Sequence, residues 1–237
     1  MSLPNEEVLD LLDDRFVLCH ANIEKEEHVG LSHGYKTSQC AVGTTNGAGG
    51  RNVQFVVLAD DETVVHALPG FWHADDLVQE LLLGLELHSL YRDDNLAADS
   101  KEALFAAMHR RHLREYGTAA EKRGGWQSFD RHAELQRVQT EARDTFTQAV
   151  DSTLALKSIP RLVHDRLLDR GFRQLDDFDM EAFVDYGRAY YDNNMGVDRG
   201  KTFSRAERAN REREEERAKA AREAARQAER EARRKRR

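Results

Sequence analysis

Two cysteines and several histidines are the residues of this 237-residue chain whose types and spacing could do chemistry. Cys40 lies in a polar, glycine-rich stretch between Lys36 and Arg51, where positive charge favours the thiolate, whereas Cys19 lies in an apolar run and reads as a small buried hydrophobe. A thiol oxidoreductase built here would attack with Cys40 and resolve with Cys19, yet the chain has no Cys-x-x-Cys pair. His109 and His112, three apart on a predicted helix, share a face and are candidate metal ligands. No cysteine or carboxylate completes a recognised zinc spacing around them, and Arg110, Arg111 and Arg114 make a basic surface the simpler expectation. His66 and His73 flank Pro69-Gly70 and would form a polar rim with Trp72, as surface or half-buried residues. No cofactor is implied.

Three further features bear on binding. The glycines from Gly43 to Gly50 resemble a phosphate cradle only in composition: the stretch precedes a strand, where phosphate loops follow one, and it lacks a Gly-Lys-Ser/Thr ending, so a structural turn is expected. Phe71 and Trp72 are candidate partner anchors, as is the cluster Tyr186, Tyr190 and Tyr191, with core packing the competing role. The end of the chain, Arg233, Arg234, Lys235, Arg236 and Arg237, can neutralise phosphates, and with no aromatic after Phe203 any nucleic-acid contact there would be electrostatic and nonspecific. Lys201 to Arg237 carries 15 basic and 8 acidic side chains, so a net −7 divides into +7 for the tail and −14 for the body. Such a tail seeks an acidic partner, whether nucleic acid, a membrane surface or the body itself.

The elements that must position these groups follow from periodicity. A short helix is expected over Asn5 to Leu12, then a buried strand at Phe16 to Ala21. Val53 to Leu58 and Thr63 to Leu68, joined by Asp60-Asp61-Glu62, form the clearest hairpin, and Asp75 opens a helix with Leu77, Leu81, Leu82 and Leu85 on one stripe. Beyond Tyr91 the strand signal disappears and helices are expected near 100–116, 128–156, 160–170 and 179–195. From Arg205 onward the Arg/Glu/Ala/Lys composition, with pairs such as Glu207/Arg211 and Glu231/Lys235, predicts a solvated charged helix; its alanine repeat is too short for a coiled coil.

The order helix, strand, loop, hairpin, helix across Leu3 to Leu87 resembles the later part of thioredoxin-like domains. Glu7 to Leu12 followed by Phe16-Val17-Leu18 is similar to the segment entering that family's third strand, Val53 to Gly70 to its terminal hairpin, and Asp75 to Leu87 to its last helix. The dithiol is missing, and Asn52-Val53 stands where the family keeps a cis-proline. The resemblance implies that strands preceding the cysteine motif have no counterpart before Met1. The Phe16 strand should then pair with the Val53 strand, with another chain, or lie under a helix.

The expected fold class is therefore α/β: an incomplete or divergent thioredoxin-like domain over 1–92, a helical extension over 93–200, and a charged helical or disordered tail over 201–237. Two cysteines are too few for a secreted disulfide scaffold, Met1 to Asn5 lacks signal-peptide character, and no run approaches a membrane span, so a cytoplasmic protein is expected. Its expected role is a non-enzymatic interaction or scaffold protein with a protein partner or a second copy of itself. The alternatives are the oxidoreductase above and a nucleic-acid-associated factor acting through the tail.

Overall fold

Asp61 builds the central turn. Its Oδ1 accepts from Thr63 N–H at 3.1 Å, Ala59 N–H donates to Thr63 O at 2.8 Å, and Glu62 takes a left-handed φ of 64°. The turn folds β1 (Gln54–Leu58) antiparallel onto β2 (Thr63–Pro69), in register from Gln54↔Pro69 to Val57↔His66, after which a bulge shifts the pairing to Leu58↔Val64. This computed structural model describes residues 2–23, 45–51, 53–148 and 154–187. On the other side of β2 lies β5 (Arg173–Gln174), giving an antiparallel sheet of order β1-β2-β5.

Every residue of β2 is buried, including His66. A half-covered antiparallel strand would alternate; this one is overlaid by α2 (Ala74–Tyr91) and α6 (Ile159–Arg170), both of which pack on it. The helix α2 approaches closely at Gly84, where a side chain would meet Val57 Cγ2 at 3.3 Å. Asn5 caps α1 (Glu6–Arg15) by accepting from Val8 N–H, and Val8 and Leu12 bury its inner face against α2. Next, α3 (Ala98–Glu115) lies on α2 and α6, followed by α4 (Gly117–Arg123), α5 (Ser128–Arg137), the hairpin β3 (Phe146–Gln148) and β4 (Leu154–Leu156), and the short α7 (Met180–Phe183). The core runs through Val64, Leu68, Trp72, Leu77, Leu87, Leu162, Phe178 and Phe183. No helix among the described residues is long and apolar enough to cross a membrane.

The protein is thus mixed α/β, with the hairpin and the helices near 75–87, 100–116 and 160–170 as expected. Three expectations fail. Phe16 to Ala21 is not a strand: α1 ends as Phe16 N–H donates to Leu12 O, and the chain continues unpaired with Val17 fully exposed, while β1 hydrogen-bonds to β2 alone among the described strands. The long helix over 128–156 stops at Arg137 and gives way to β3 and β4, and with β5 the strands do not cease after Tyr91. In the helix expected at 179–195, only α7 forms among the described residues, which stop at Gly187.

Charge pairing explains the break after Arg137. In a continuous helix Glu134 and Arg143 would lie about 13 Å apart along the axis; here Arg143 Nε donates to Glu134 Oε1 at 2.8 Å, because the chain turns back. The same guanidinium reaches Asp185 Oδ2 at 2.6 Å, Arg137 donates to that oxygen at 2.8 Å, and Arg51 donates to Asp185 Oδ1 at 2.6 Å. Burial opposes ionisation of Asp185, yet hydrogen bonds from Arg137 and Arg143 and their charges hold its carboxyl well below the usual range. This stabilisation is complete above the ordinary carboxylate pKa and is lost as acid titrates Asp185 through its lower folded value. Asp185→Ala should cost roughly 2–3 kcal/mol in urea unfolding at pH 7, less than a fully buried pair because the carboxylate is partly exposed, and Asp185→Asn should recover part of that loss.

Candidate functional site

Four elements send a polar side chain into one buried spot. On β2, His66 interrupts the apolar run Val64-Val65-His66-Ala67-Leu68 and is 0% exposed. On α2, Glu80 occupies a core-facing position three residues after Leu77 and four before Gly84, and is 2% exposed. On α3, Phe105, His109 and His112 repeat at helical spacing on the buried face, and on α6 His164 stands beside Val163. All four imidazoles are at most 6% exposed, so the cluster meets itself rather than solvent.

The contacts divide into two kinds. His66 Nε2 lies 2.9 Å from Glu80 Oε2, the length of a charge-assisted hydrogen bond. Glu80 Oε1 instead has two imidazole nitrogens at 3.2 Å, His112 Nε2 and His164 Nε2. Behind His164, its Nδ1 is 2.7 Å from His109 Nδ1, the two rings meeting edge to face with centroids 5.0 Å apart. Two buried nitrogens, His66 Nδ1 and His109 Nε2, have no partner.

Burial shapes the protonation. Desolvation pushes His66 down despite its bond to Glu80, and it pushes His109 further, with neighbouring histidines adding repulsion. For Glu80 burial acts upward, but the favourable electrostatics of His164 and hydrogen bonds from His112, His164 and His66 outweigh it and hold the carboxyl well below its ordinary value. The site is therefore an anionic carboxylate ringed by imidazole nitrogens.

Glu80 Oε1, His112 Nε2 and His164 Nε2 lie within 4.8 Å of one another. Donors bound to one ion at about 2.0–2.1 Å sit about 3.3 Å apart in a tetrahedron, close to the two 3.2 Å separations at Oε1. Two imidazoles and a carboxylate suit zinc or non-haem iron(II), and the absence of a thiolate in this set disfavours Cu(I) and iron–sulfur clusters. No protein-family model matches the chain, and no curated protein or solved structure matches it either.

The sequence-derived candidates scatter by comparison. His112 enters the triad and His109 stands behind it; neither forms the basic surface expected of them, because both face the core. His66 is buried rather than on a rim with His73, which precedes α2 and donates its backbone N–H to Asn46. Trp72 is a core residue, 1% exposed with Nε1 donating to Pro69 O, so it is not available as a partner anchor; Phe71 is half-buried against His73. Tyr186 is buried with its hydroxyl on Gly47 O, and Gly47 and Ala48 form a turn bridged to Phe71. Cys19 is exposed, not buried. Cys40, Tyr190, Tyr191 and the basic run Arg233 to Arg237 lie outside the described residues.

Sequence reasoning missed Glu80 and His164. Their signal was present: each is a polar residue at an apolar position of a helical stripe.

His66 and His109 fold as neutral groups and charge more readily once unfolded, so the unfolded chain binds the extra protons below their ordinary pKa of 6.5. Metal-free protein should lose stability on moving from pH 7.5 to 5.5, with a slope approaching about 1.4 kcal/mol per pH unit for each such histidine. Urea titrations at three pH values would read it, and an unchanged midpoint would contradict the neutral assignment.

Proposed function

We propose that this protein binds one divalent transition-metal ion, zinc being the default choice, through Glu80, His112 and His164. The supporting observation is the pair of imidazole Nε2 atoms 3.2 Å from a single carboxylate oxygen, longer than the His66 hydrogen bond to the same group and close to the edge of a metal coordination polyhedron. His66 keeps the outer oxygen of Glu80 oriented, as partners of metal-ligating carboxylates do. The three ligands come from α2, α3 and α6, so the ion would tie these helices together, and a three-ligand set leaves the fourth position of a tetrahedral ion for water or another small ligand. In this reading the metal contributes directly to folding, since the unfolded chain holds no preformed site.

The resemblance to thioredoxin-like domains and the scaffold role rest on sequence pattern, and neither carries the metal reading. Of the passages behind that resemblance, the hairpin and the following helix are formed, and the strand after α1 is not.

Full-length protein refolded with zinc should retain one ion per chain by elemental analysis, and zinc at 100 times its dissociation constant should stabilise the fold by about 2.7 kcal/mol. His112→Ala and His164→Ala should each lose most of this affinity, while Cys19→Ser with Cys40→Ser should leave it unchanged. Refolded protein with no retained zinc, or zinc that follows the cysteines instead, would overturn the proposal.

A further inference from the structure

Only one proton fits between His109 Nδ1 and His164 Nδ1 at 2.7 Å, so one ring donates and the other accepts. Which ring donates is dictated from the far side of His164. Without metal, His164 Nε2 faces the Glu80 carboxylate at 3.2 Å and carries its proton there, which leaves Nδ1 bare and makes His109 Nδ1–H the donor. With metal on His164 Nε2, that nitrogen has no proton; Nδ1 carries it and donates to a bare His109 Nδ1. His109 then holds its own proton on Nε2, the buried nitrogen that has no other partner.

Resting on the metal reading above, we infer that His109 is a positioning residue whose tautomer exchanges in step with that of His164 when the ion binds. The proton count balances. On metal binding His164 releases the proton on Nε2 to solvent and receives one on Nδ1 from His109 Nδ1, and His109 takes one from solvent on Nε2, so neither ring changes its charge. As acceptor, His109 selects Nε2 as the metal-binding nitrogen of His164 and fixes the ring plane. The inner position of His109, packed on Phe105 with centroids 4.4 Å apart, holds it to that duty.

The experiment is nitrogen-15 NMR of the histidine rings in the full chain, zinc-free and zinc-loaded, with zinc affinity measured by chelator competition. On loading, His109 should change from the Nδ1–H to the Nε2–H form and His164 from Nε2–H to Nδ1–H. His109→Phe should bind zinc 10- to 100-fold more weakly, and His109→Asn, which can place an acceptor oxygen near the lost Nδ1, should restore affinity. Failure of wild-type protein to bind zinc at all removes the metal site itself. Wild-type binding with unchanged tautomers, or with equal affinity in the Phe and Asn variants, removes only the role of His109. Should His109→Phe not fold, the wild-type spectra and the Asn variant decide the matter.

Discussion

The ionised carboxylate of Glu80 sits at the junction of β2, α2, α3 and α6, and its burial is the constraint that the centre of this fold must satisfy. Moving a carboxylate out of water costs several kcal/mol even after relaxation, and apolar packing does nothing to offset it. The compensation comes from three imidazole nitrogens, two of them at 3.2 Å and one at 2.9 Å. Each ring is supplied by a different element. Hence β2 cannot shift register, nor α3 or α6 rotate, without exposing the carboxylate to an apolar wall. A one-residue slip of β2 would turn His66 away and bring Val65 or Ala67 to face Glu80.

Local chemistry made much of this fold legible. The hairpin was visible because two β-rich runs are separated by three acidic residues, and the Asp61 side chain acts as the turn former such residues supply. The helices at 74–91, 98–115 and 159–170 were visible from their apolar spacing. What could not be read was set by partners distant in sequence. Phe16 to Ala21 has the composition of a buried strand, but composition does not supply a neighbour, and Leu18 and Cys19 are exposed. The stripe Val138, Ala142, Phe146 read as helix because nothing near it announces that Arg143 must reach Glu134 and Asp185.

The site was half legible for the same reason. His109 and His112 stand out in the sequence as a pair three apart, but the arginines beside them point to a surface. Periodicity places those arginines on the far side of α3 from Phe105, and the histidines go with Phe105. Glu80 and His164 sit in helices that carry several other polar side chains, and one residue of that kind does not stand out until its neighbours in space are known.

Glu80 is not the only carboxylate held inward on α2. Asp76 lies one turn earlier, 5% exposed, and like charges at that spacing repel. The two find different kinds of partner. Asp76 is gripped by Arg123 through two bonds of 2.8 and 2.6 Å and by Asn46 at 2.7 Å, and Asp185 is likewise held by arginines. A guanidinium is permanently charged and has no lone pair to give, so a carboxylate paired with it is committed to structure. Glu80 alone faces imidazoles, which can be neutral and can exchange a proton for a metal ion. Arginine at the rim and histidine at the centre thus divide these carboxylates by role: the former lock junctions between elements, and the latter leaves an anion whose countercharge can be supplied from outside.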